Sequence, residues 1–374
     1  MRRLTVVQLL PALDAGGVER STLEIAGALV RGGHRAIVVS REGSWLPALQ
    51  ALGAEHVTLP IGRKSPWVFR HVPALRRLLT ASAADIVHAR SRLPAWLGWH
   101  ALRGMPAAPR PRFVTTVHGL NSPSRYSAIM ARGERVVCVS ETVRGYLLQH
   151  YPSTDPARLR VIPRGIDVAA FPRVARVDHA AREQVALLHP QLGGNGPLLL
   201  MPGRGTRLKG HADAITLLAA VRASGLDARL WMPGAVQDGR ADYLAELLHQ
   251  ARAAGVPDAV SITPATAAMA QAYAASDLVV QLSRAPEAFG RTVIEALAVG
   301  RPVVGWAHGG VGELLAQLQP EGAVPAFDAA ALLRVALQLL ALPPVPPATM
   351  PYTLRAMQEA TIDMYLELVA DAAR

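Results

Sequence analysis

Short apolar runs alternate with amphipathic stretches along the chain, and this alternation predicts β-strands separated by helices. The first run, LTVVQLL at 4–10, is followed by a glycine-containing loop and by apolar residues at helical spacing from about Val18 to Arg31. Gly32-Gly33 ends that helical pattern, and RAIVVS at 35–40 begins the next strand. Because the strands are apolar throughout and helices connect them, we predict parallel sheets with helices on both faces.

The pattern predicts five strands in each half of the chain. They lie at 4–10, 35–40, 85–89, 113–118 and 135–140 in the first half, and at 198–203, 228–234, 260–263, 278–283 and 302–306 in the second. Ser140 is a good N-cap for the helix after the fifth strand. A segment rich in Pro and Gly, 160–173, and a proline-rich segment, 340–351, mark the boundaries. The sequence therefore predicts two Rossmann-like α/β domains, 1–172 and 173–350, and a last helix within 351–374, from about Tyr352 to Ala373.

The length of 374 residues exceeds what one hydrophobic core usually serves, which agrees with two domains. No apolar run reaches the roughly 18–20 residues that a membrane span needs. The N-terminal MRRLTVVQLL faintly resembles a signal peptide, but its short apolar run leads into an amphipathic helix, so a first buried strand explains it better. The single cysteine, Cys138, cannot form an internal disulfide, which fits a reducing cytoplasm.

The net charge of +11 is unevenly distributed. Residues 1–175 hold 24 Arg or Lys and 10 Asp or Glu, whereas residues 176–374 hold 15 and 18. The basic half indicates an anionic partner, such as a membrane surface or a phosphorylated glycan or lipid, and an arginine-rich proteome is the plainer alternative. Nucleic acid is disfavoured because no zinc pattern, aromatic-rich RNA signature or arginine-rich helix is present. Only two of the basic residues are lysines, Lys64 and Lys209, so each is a candidate for a specific role.

The segment GRGTRLKG at 203–210 follows a predicted strand and precedes a helix that starts near His211. Arg204 and Lys209 therefore lie in a glycine-bounded loop at a helix N-terminus, where backbone N–H groups and the helix dipole also favour anions. This combination predicts a diphosphate site, although it lacks the residue order of a Walker A loop. A solvated basic turn is the alternative.

The segment RAPEAFGRTVIEALAVGRPVVG at 284–305 carries two glutamates, Glu287 and Glu295. On a single helix, eight residues would rotate them apart by about 80°. Pro286 and Gly290 instead place Glu287 in a loop, and we predict a helix that starts around Gly290 with Glu295 one turn inside it. Carboxylates accept hydrogen bonds from sugar hydroxyls, and the exposed N–H groups at the helix start hold phosphate oxygens. An ordinary solvated helix start is the alternative.

These motifs resemble the retaining glycosyltransferases of family 4, which have the GT-B fold. The strand followed by GR-x4-KG and then by E-A-F-G-x4-E-A-x-A-x-G-x-P-V-V carries the resemblance. LLPALDAGGVERSTLEIAGALVRGGH, FVTTVHG, VVCVSE and RVIPRGIDVAAF extend it over nearly the whole chain, although the last usually has Asn in place of Arg164. HARSRLPAW, together with TTVHG and the arginine at 164, is similar to members that build bacterial lipopolysaccharide or other surface glycans. The resemblance implies two Rossmann-like domains facing each other across a cleft, with a C-terminal helix that crosses back to the N-terminal domain.

The resemblance also implies which residues act. Arg204 and Lys209 would hold the diphosphate of a nucleotide-sugar donor, a UDP-sugar foremost, and stabilise it as it leaves. Glu295 would accept from the ribose hydroxyls and Glu287 from the transferred sugar, while His118 would face the reacting sugar. We therefore expect His118, Arg204, Lys209 and Glu287 to be catalytic, and the second domain to bind the donor.

Backbone groups would complete the donor site. Gly16 and Gly17 would let the backbone of the first domain approach the diphosphate without a Cβ in the way. The helix start would assist the phosphate or the sugar through the amides of Phe289, Gly290, Arg291 and Thr292. Because the chain has no Asp-x-Asp motif, we expect no required metal, and front-side attack by the acceptor is favoured because the resemblance offers no carboxylate nucleophile.

The acceptor is less clearly specified. It would be a bacterial glycan or glycolipid bound by the first domain, with four candidate contacts near predicted strand ends or loops: Arg20, Arg90, Arg92 and Tyr126. Surface arginines without a ligand are an equal alternative there. We expect a cytoplasmic enzyme, peripheral on the inner face of the cytoplasmic membrane. A sugar-nucleotide epimerase of the same fold and a non-catalytic membrane-surface protein stay open, whereas a Rossmann dehydrogenase is disfavoured because no G-x-G-x-x-G follows the first strand.

Overall fold

The computed structural model describes residues 2–14, 16–107 and 110–371, and the chain divides into two units. The first unit comprises the described residues up to Arg164 together with those from Leu354 onward, and the second is Gly165–Thr353. The first division thus follows residue 164, where the sequence placed a boundary after residue 172.

Seven parallel strands form the sheet of the first unit, in the order β3-β2-β1-β4-β5-β6-β7. They are β1 (Thr5–Ala12), β2 (Arg35–Arg41), β3 (Glu55–Thr58), β4 (Ile86–Ala89), β5 (Arg112–Val117), β6 (Arg135–Cys138) and β7 (Leu159–Val161). All five predicted strands are present, and their interior residues are buried on both faces, as in parallel sheets covered by helices. The two edge strands, β3 and β7, were not predicted because their sequences, EHVT and LRV, are short and partly exposed.

Helices connect these strands. They are α1 (Gly17–Arg31), α2 (Leu46–Ala51), α3 (Val72–Ala81), α4 (Arg92–Arg103) and α5 (Glu141–His150). A 3-10 helix, Pro66–His71, leads directly into α3, and α3 packs against α4. The predicted N-cap is present, because the Ser140 hydroxyl accepts from the Val143 amide at 3.1 Å.

The second unit is built on six parallel strands in the order β10-β9-β8-β11-β12-β13. They are β8 (Leu198–Leu200), β9 (Arg229–Pro233), β10 (Val260–Thr263), β11 (Leu278–Gln281), β12 (Val303–Trp306) and β13 (Ala323–Val324). The helices are α6 (His179–Leu188), α7 (His211–Ala223), α8 (Ala241–Ala253), α9 (Met269–Ala275), α10 (Arg291–Val299), α11 (Gly309–Leu318) and α12 (Ala329–Ala341). The five predicted strands are again present, and the two-residue edge strand β13 was missed.

The last helix, α13 (Leu354–Ala370), belongs to the first unit, as expected. Its Met364 and Leu368 share a buried cluster with Val6 of β1 and Ile25 of α1. The Tyr365 hydroxyl contacts His88 Nδ1 at 2.5 Å inside that unit. The predicted end of this helix, at Ala373, lies outside the described residues.

The structure also bears on membrane spans and on the single cysteine. No helix among the described residues is both long and apolar enough to cross a membrane. Cys138 is completely buried at the end of β6, and burial raises the pKa of its thiol to about 12.

Candidate active site

A glycine-rich loop follows β8 and leads through a 3-10 turn, Arg207–Lys209, into α7. Gly210 ends the turn with a φ of 79°, in the left-handed region that favours glycine. A Cβ on Gly210 would lie 1.9 Å from the carbonyl oxygen of Leu282. Glycine is therefore required where this loop approaches the segment after β11.

This approach brings two predicted site residues into direct contact. Lys209 Nζ donates to Glu287 Oε1 at 2.6 Å, and the two side chains are 27% and 21% exposed. The Ser283 hydroxyl donates to the same carboxylate oxygen. The sequence assigned Lys209 to the diphosphate and Glu287 to the sugar, but it did not predict that their charges pair. A diphosphate that binds Lys209 would compete with this carboxylate.

The second glutamate lies inside a helix, as predicted. Gly290, with a φ of 117°, is the N-cap of α10, which begins at Arg291, and Glu295 follows one turn later. The Glu295 side chain is only 8% exposed, and its Oε2 accepts from the Tyr273 hydroxyl at 3.0 Å. Tyr273 is fully buried in α9 and was not predicted as part of the site. Its hydroxyl satisfies a carboxylate that would otherwise be costly to bury.

The loop that carries Glu287 is held by the start of α11, a contact that was not predicted from the sequence. His308 Nε2 donates to the Ser283 carbonyl at 2.8 Å, and the Gly310 amide donates to the Glu287 carbonyl at 2.7 Å. A Cβ on Gly310 would lie 2.4 Å from the Cα of Phe289. The H-G-G sequence after β12 was the available signal, because adjacent glycines after a strand indicate a close backbone approach.

The remaining donor candidates differ in exposure. Arg204 is exposed and forms no ion pair within the described part of the chain. Arg291 and Thr292, at the start of α10, are half-buried. The Phe289 side chain is 7% exposed and packs edge-on against Tyr352, with ring centroids 5.6 Å apart, so only its backbone is suited to a ligand.

One further group borders the cationic loop. His211, the first residue of α7, is fully buried, and burial lowers the pKa of its ring to about 4, with a smaller contribution from Lys209. His211 is therefore neutral at pH 7. The positive charge of the loop comes from its arginines and Lys209.

In the first unit, the glycine pair begins α1. Gly16 has an extended φ of 177°, and a Cβ on Gly17 would meet no atom within 4 Å. Neither glycine is required by backbone conformation, and space is open beside Gly17. Arg20 follows on the first turn and pairs with Glu24 at 3.2 Å.

A chain of polar contacts links several residues at the carboxyl edge of this sheet. Arg90 donates from Nε to Gln8 Oε1 at 3.0 Å and contacts the Ser21 hydroxyl. Arg164 donates to the same hydroxyl and to His118 Nδ1. Arg90 is only 2% exposed, so it does not lie on the surface as expected, and burial lowers the pKa of its guanidinium. Arg164, which the sequence did not assign to the site, is the residue that contacts His118.

The other two acceptor candidates lie together. The Arg92 guanidinium is 5.2 Å from the ring centroid of Tyr126, and it donates to the Ser127 hydroxyl at 3.1 Å. Tyr126 is 44% exposed, and partial burial raises the pKa of its hydroxyl despite the nearby Arg92. This pair presents a cation and an aromatic ring to solvent.

Comparison with known families identifies both halves of the chain. Residues 15–170 match Glycosyltransferase Family 4, and residues 189–351 match Glycosyl transferases group 1. The D-inositol 3-phosphate glycosyltransferase of Gordonia bronchialis is 26% identical over 331 residues, which cover 80% of this chain and 70% of that protein. The protein of the same name from Segniliparus rotundus is 31% identical over 185 residues, 49% of this chain and 39% of its own length.

Solved structures agree on the fold. A glycosyltransferase from Rickettsia africae superposes with a TM-score of 0.85 at 26% identity and covers 99% of both chains. HepE from Anabaena, in complex with UDP and glucose, gives a TM-score of 0.78 at 19% identity over 98% of this chain and all of its own. WaaG, a glycosyltransferase involved in lipopolysaccharide biosynthesis, gives 0.68 at 19% identity over 98% of each chain.

Proposed function

The chain is a glycosyltransferase of family 4 with the GT-B fold, and we propose that it transfers a sugar from a UDP-sugar donor to a glycan or glycolipid acceptor. The second unit would bind the donor and the first the acceptor. The configuration at the anomeric carbon would be retained, and no metal would be required.

The contact between Lys209 and Glu287 carries this proposal. Cleavage of the anomeric bond leaves negative charge on the nucleotide diphosphate and positive charge on the sugar. An ammonium at the end of the 203–210 loop, near the N-terminus of α10, suits the first charge. The carboxylate of Glu287 suits the sugar, and the buried Glu295 suits the ribose hydroxyls.

We propose that the departing phosphate takes the acceptor's proton in a front-side attack. Arg204 and Lys209 would stabilise that phosphate, and His118 would contact the reacting sugar. A guanidinium only donates hydrogen bonds, so the contact from Arg164 makes His118 Nδ1 an acceptor and places the ring proton on Nε2. The neutral ring would thus offer a donor, through Nε2, to a sugar oxygen.

Two kinds of acceptor are supported. The structural likeness to WaaG favours a lipopolysaccharide or other surface glycan. The sequence relatives named D-inositol 3-phosphate glycosyltransferase favour a small phosphorylated polyol, and the Arg92–Tyr126 pair offers a cation to such a phosphate. Transfer assays with both acceptor classes would separate them, with Arg92→Ala expected to affect only the phosphorylated acceptor.

Thermal shift against UDP-, GDP- and ADP-sugars tests donor binding, because a bound ligand raises the melting temperature. We expect a shift with the UDP-sugar that Lys64→Ala retains in full and Lys209→Ala makes smaller. A melting temperature that no nucleotide raises, in a protein that functions in cells with Lys209→Ala, would instead support a membrane-surface scaffold. Epimerised donor without any acceptor would identify an epimerase.

Product analysis tests the mechanism. The anomeric proton coupling of the product should match that of the donor, and EDTA should leave the rate unchanged. An inverted product would refute front-side attack, and loss of activity in EDTA that Mg²⁺ or Mn²⁺ restores would refute metal independence. We also propose that the reaction takes place at the inner face of the cytoplasmic membrane, where a glycolipid acceptor would be embedded.

A further inference from the structure

The positive charge of the protein is concentrated in one segment. Residues 56–133 contain twelve Arg or Lys and a single carboxylate, Asp85, so this segment alone accounts for a net charge equal to that of the whole chain. Asp85 is paired with Arg2 at 2.6 Å. The rest of the chain is neutral overall, so the basic character is local and not a uniform property of the composition.

Exposed aromatic side chains coincide with this charge. Large hydrophobic side chains exposed in the described part of the first unit are all aromatic and all lie in this segment: Trp67 at 77%, Phe69 at 40% and Tyr126 at 44%. The second unit instead exposes mainly aliphatic side chains, such as Leu187 and Leu188. An exposed tryptophan among cations is unfavourable in water and favourable at a lipid headgroup region.

Ring and cation contacts link the 3-10 helix that leads into α3 with α4, and the surface along these contacts is named the α3–α4 face. Phe69 contacts His100 of α4 edge-on, with ring centroids 5.5 Å apart, and His100 contacts Trp99 at 5.1 Å. The guanidinium groups of Arg103 and Arg132 lie 4.6 and 5.3 Å from the Trp99 ring. The face therefore extends from the 3-10 helix at 66–71 across α4.

The end of this face near Trp67 contains a cavity of about 300 Å³ with a basic lining. It is lined by Arg63, Ser65, Trp67, Val68, Arg70 and His71. Arg63, Lys64 and Arg70 are exposed, and none of them forms an ion pair with any residue in 2–14, 16–107 or 110–371. Because no neighbouring carboxylate compensates their charge, these cations are available to bind an external anion.

We propose that the α3–α4 face docks on an anionic lipid bilayer, with Trp67 and Phe69 inserted at the headgroup level and the cavity beside Trp67 holding a lipid phosphate. Docking through this surface would explain the peripheral location given in the proposed function. The docking proposal itself rests on the charge and exposure of these side chains and not on how the sugar donor binds. Exposed aromatic rings favour a bilayer over a purely electrostatic partner, because a polyanion without bases, such as heparin, gains little from Trp67.

Vesicle co-sedimentation tests the surface with the full-length protein. We expect binding to vesicles with 30% phosphatidylglycerol, weak binding to pure phosphatidylcholine, and loss of binding as salt rises. Each cation near such a surface contributes about fivefold in affinity, so a variant with Arg63→Ala, Lys64→Ala and Arg70→Ala should bind about 100-fold more weakly. Trp67→Ala with Phe69→Ala should weaken binding about tenfold, since affinity scales with buried apolar area.

Matched controls lie in the second unit. Lys209→Ala removes the other lysine, and Leu187→Ala with Leu188→Ala removes exposed apolar area; both should bind vesicles like the parent. Bromine-labelled lipids should quench tryptophan fluorescence in the parent, and Trp67→Phe should remove most of that quenching. The variants at Arg63, Lys64, Arg70, Trp67 and Phe69, and the Leu187/Leu188 control, should keep the parent's melting temperature and UDP-sugar thermal shift, so failure of docking is distinguishable from failure of donor binding.

Equal binding to neutral and anionic vesicles would overturn the proposal, as would parent-like binding by the Trp67/Phe69 variant. Binding to RNA or heparin that requires the same three cations, without vesicle binding, would also overturn it and identify a polyanion as the partner.

Discussion

Replacing Lys209 with Ala should reduce catalysis far more than donor binding. In the structure its ammonium already has an anionic partner, Glu287 Oε1 at 2.6 Å, and both side chains are about three-quarters buried. A donor diphosphate would therefore exchange one anionic contact for another, and the ground state would gain little. The bond-breaking step places additional charge on the diphosphate, and removal of one such stabilising donor costs about 10²–10³ in kcat, or about 2.7–4 kcal/mol.

The assay is steady-state transfer from the UDP-sugar, with donor affinity measured separately by calorimetry. We expect Lys209→Ala to lower kcat by about 10²–10³ and to weaken donor binding by less than about tenfold. Lys64→Ala, the only other lysine substitution available, should change neither quantity. A kcat within about threefold of the parent, or an equal loss in Lys64→Ala, would refute the assignment of Lys209 to the leaving group.

Glu287 provides a second test of the same contact. Glu287→Gln removes the competing charge, so Lys209 should bind the donor slightly more tightly while kcat falls through the lost sugar contact. Since the two side chains touch, a double-mutant cycle on kcat/KM should give a coupling of about 0.5–3 kcal/mol. Strictly additive effects would mean that the pair is separated whenever the donor is bound.

The remaining predictions concern the stability of the protein and the role of His118. Because the pKa of His211 is about 4 in the folded protein, this residue binds a proton more readily in the unfolded chain between pH 6.5 and 4, and it alone should lower the free energy of unfolding by up to about 3 kcal/mol over that window; His211→Gln should remove this part of the fall in denaturant titrations. Gly210→Ala should lower stability by at least about 2 kcal/mol because of its φ of 79° and the 1.9 Å contact, whereas Gly17→Ala should leave the melting temperature unchanged. Arg164→Asn removes the hydrogen bond to the His118 ring, so kcat should fall about tenfold and its pH profile should change, while the affinity for the UDP-sugar stays the same. A pH profile identical to that of the parent would contradict a role of Arg164 in orienting His118.

The sequence was sufficient to predict the fold and much of the local structure around the candidate donor site in the second unit. Ten apolar runs predicted ten of the strands, because the interior of a parallel sheet must be apolar on both faces. Gly290 and Glu295 were placed correctly relative to the start of α10, since glycine before a helix and the 3.6-residue period are local properties. Edge strands such as β3 escaped because they are half-solvated and carry polar residues.

The contacts that were missed are long-range. Lys209 and Glu287 are 78 residues apart, and only the approach permitted by Gly210 brings them together. Tyr273 in α9 reaches Glu295 through packing, which no local spacing encodes. Arg90 was expected on the surface because arginines usually lie there, yet its hydrogen bond to Gln8, buried beside it on β1, keeps it in the interior.

The burial of Cys138 has a practical consequence for following motion in this enzyme. The thiolate is the species that attacks thiol-reactive dyes, and a buried thiol with a pKa of about 12 forms almost no thiolate at neutral pH. Because the chain has no other cysteine, only the cysteines introduced on the two units would react with the dyes, and Cys138 would not need to be removed first. Dyes on Leu187→Cys and on a cysteine at an exposed position of the first unit would form an energy-transfer pair. The transfer efficiency would report directly on whether binding of the sugar donor or of the sugar acceptor changes the distance between the two units.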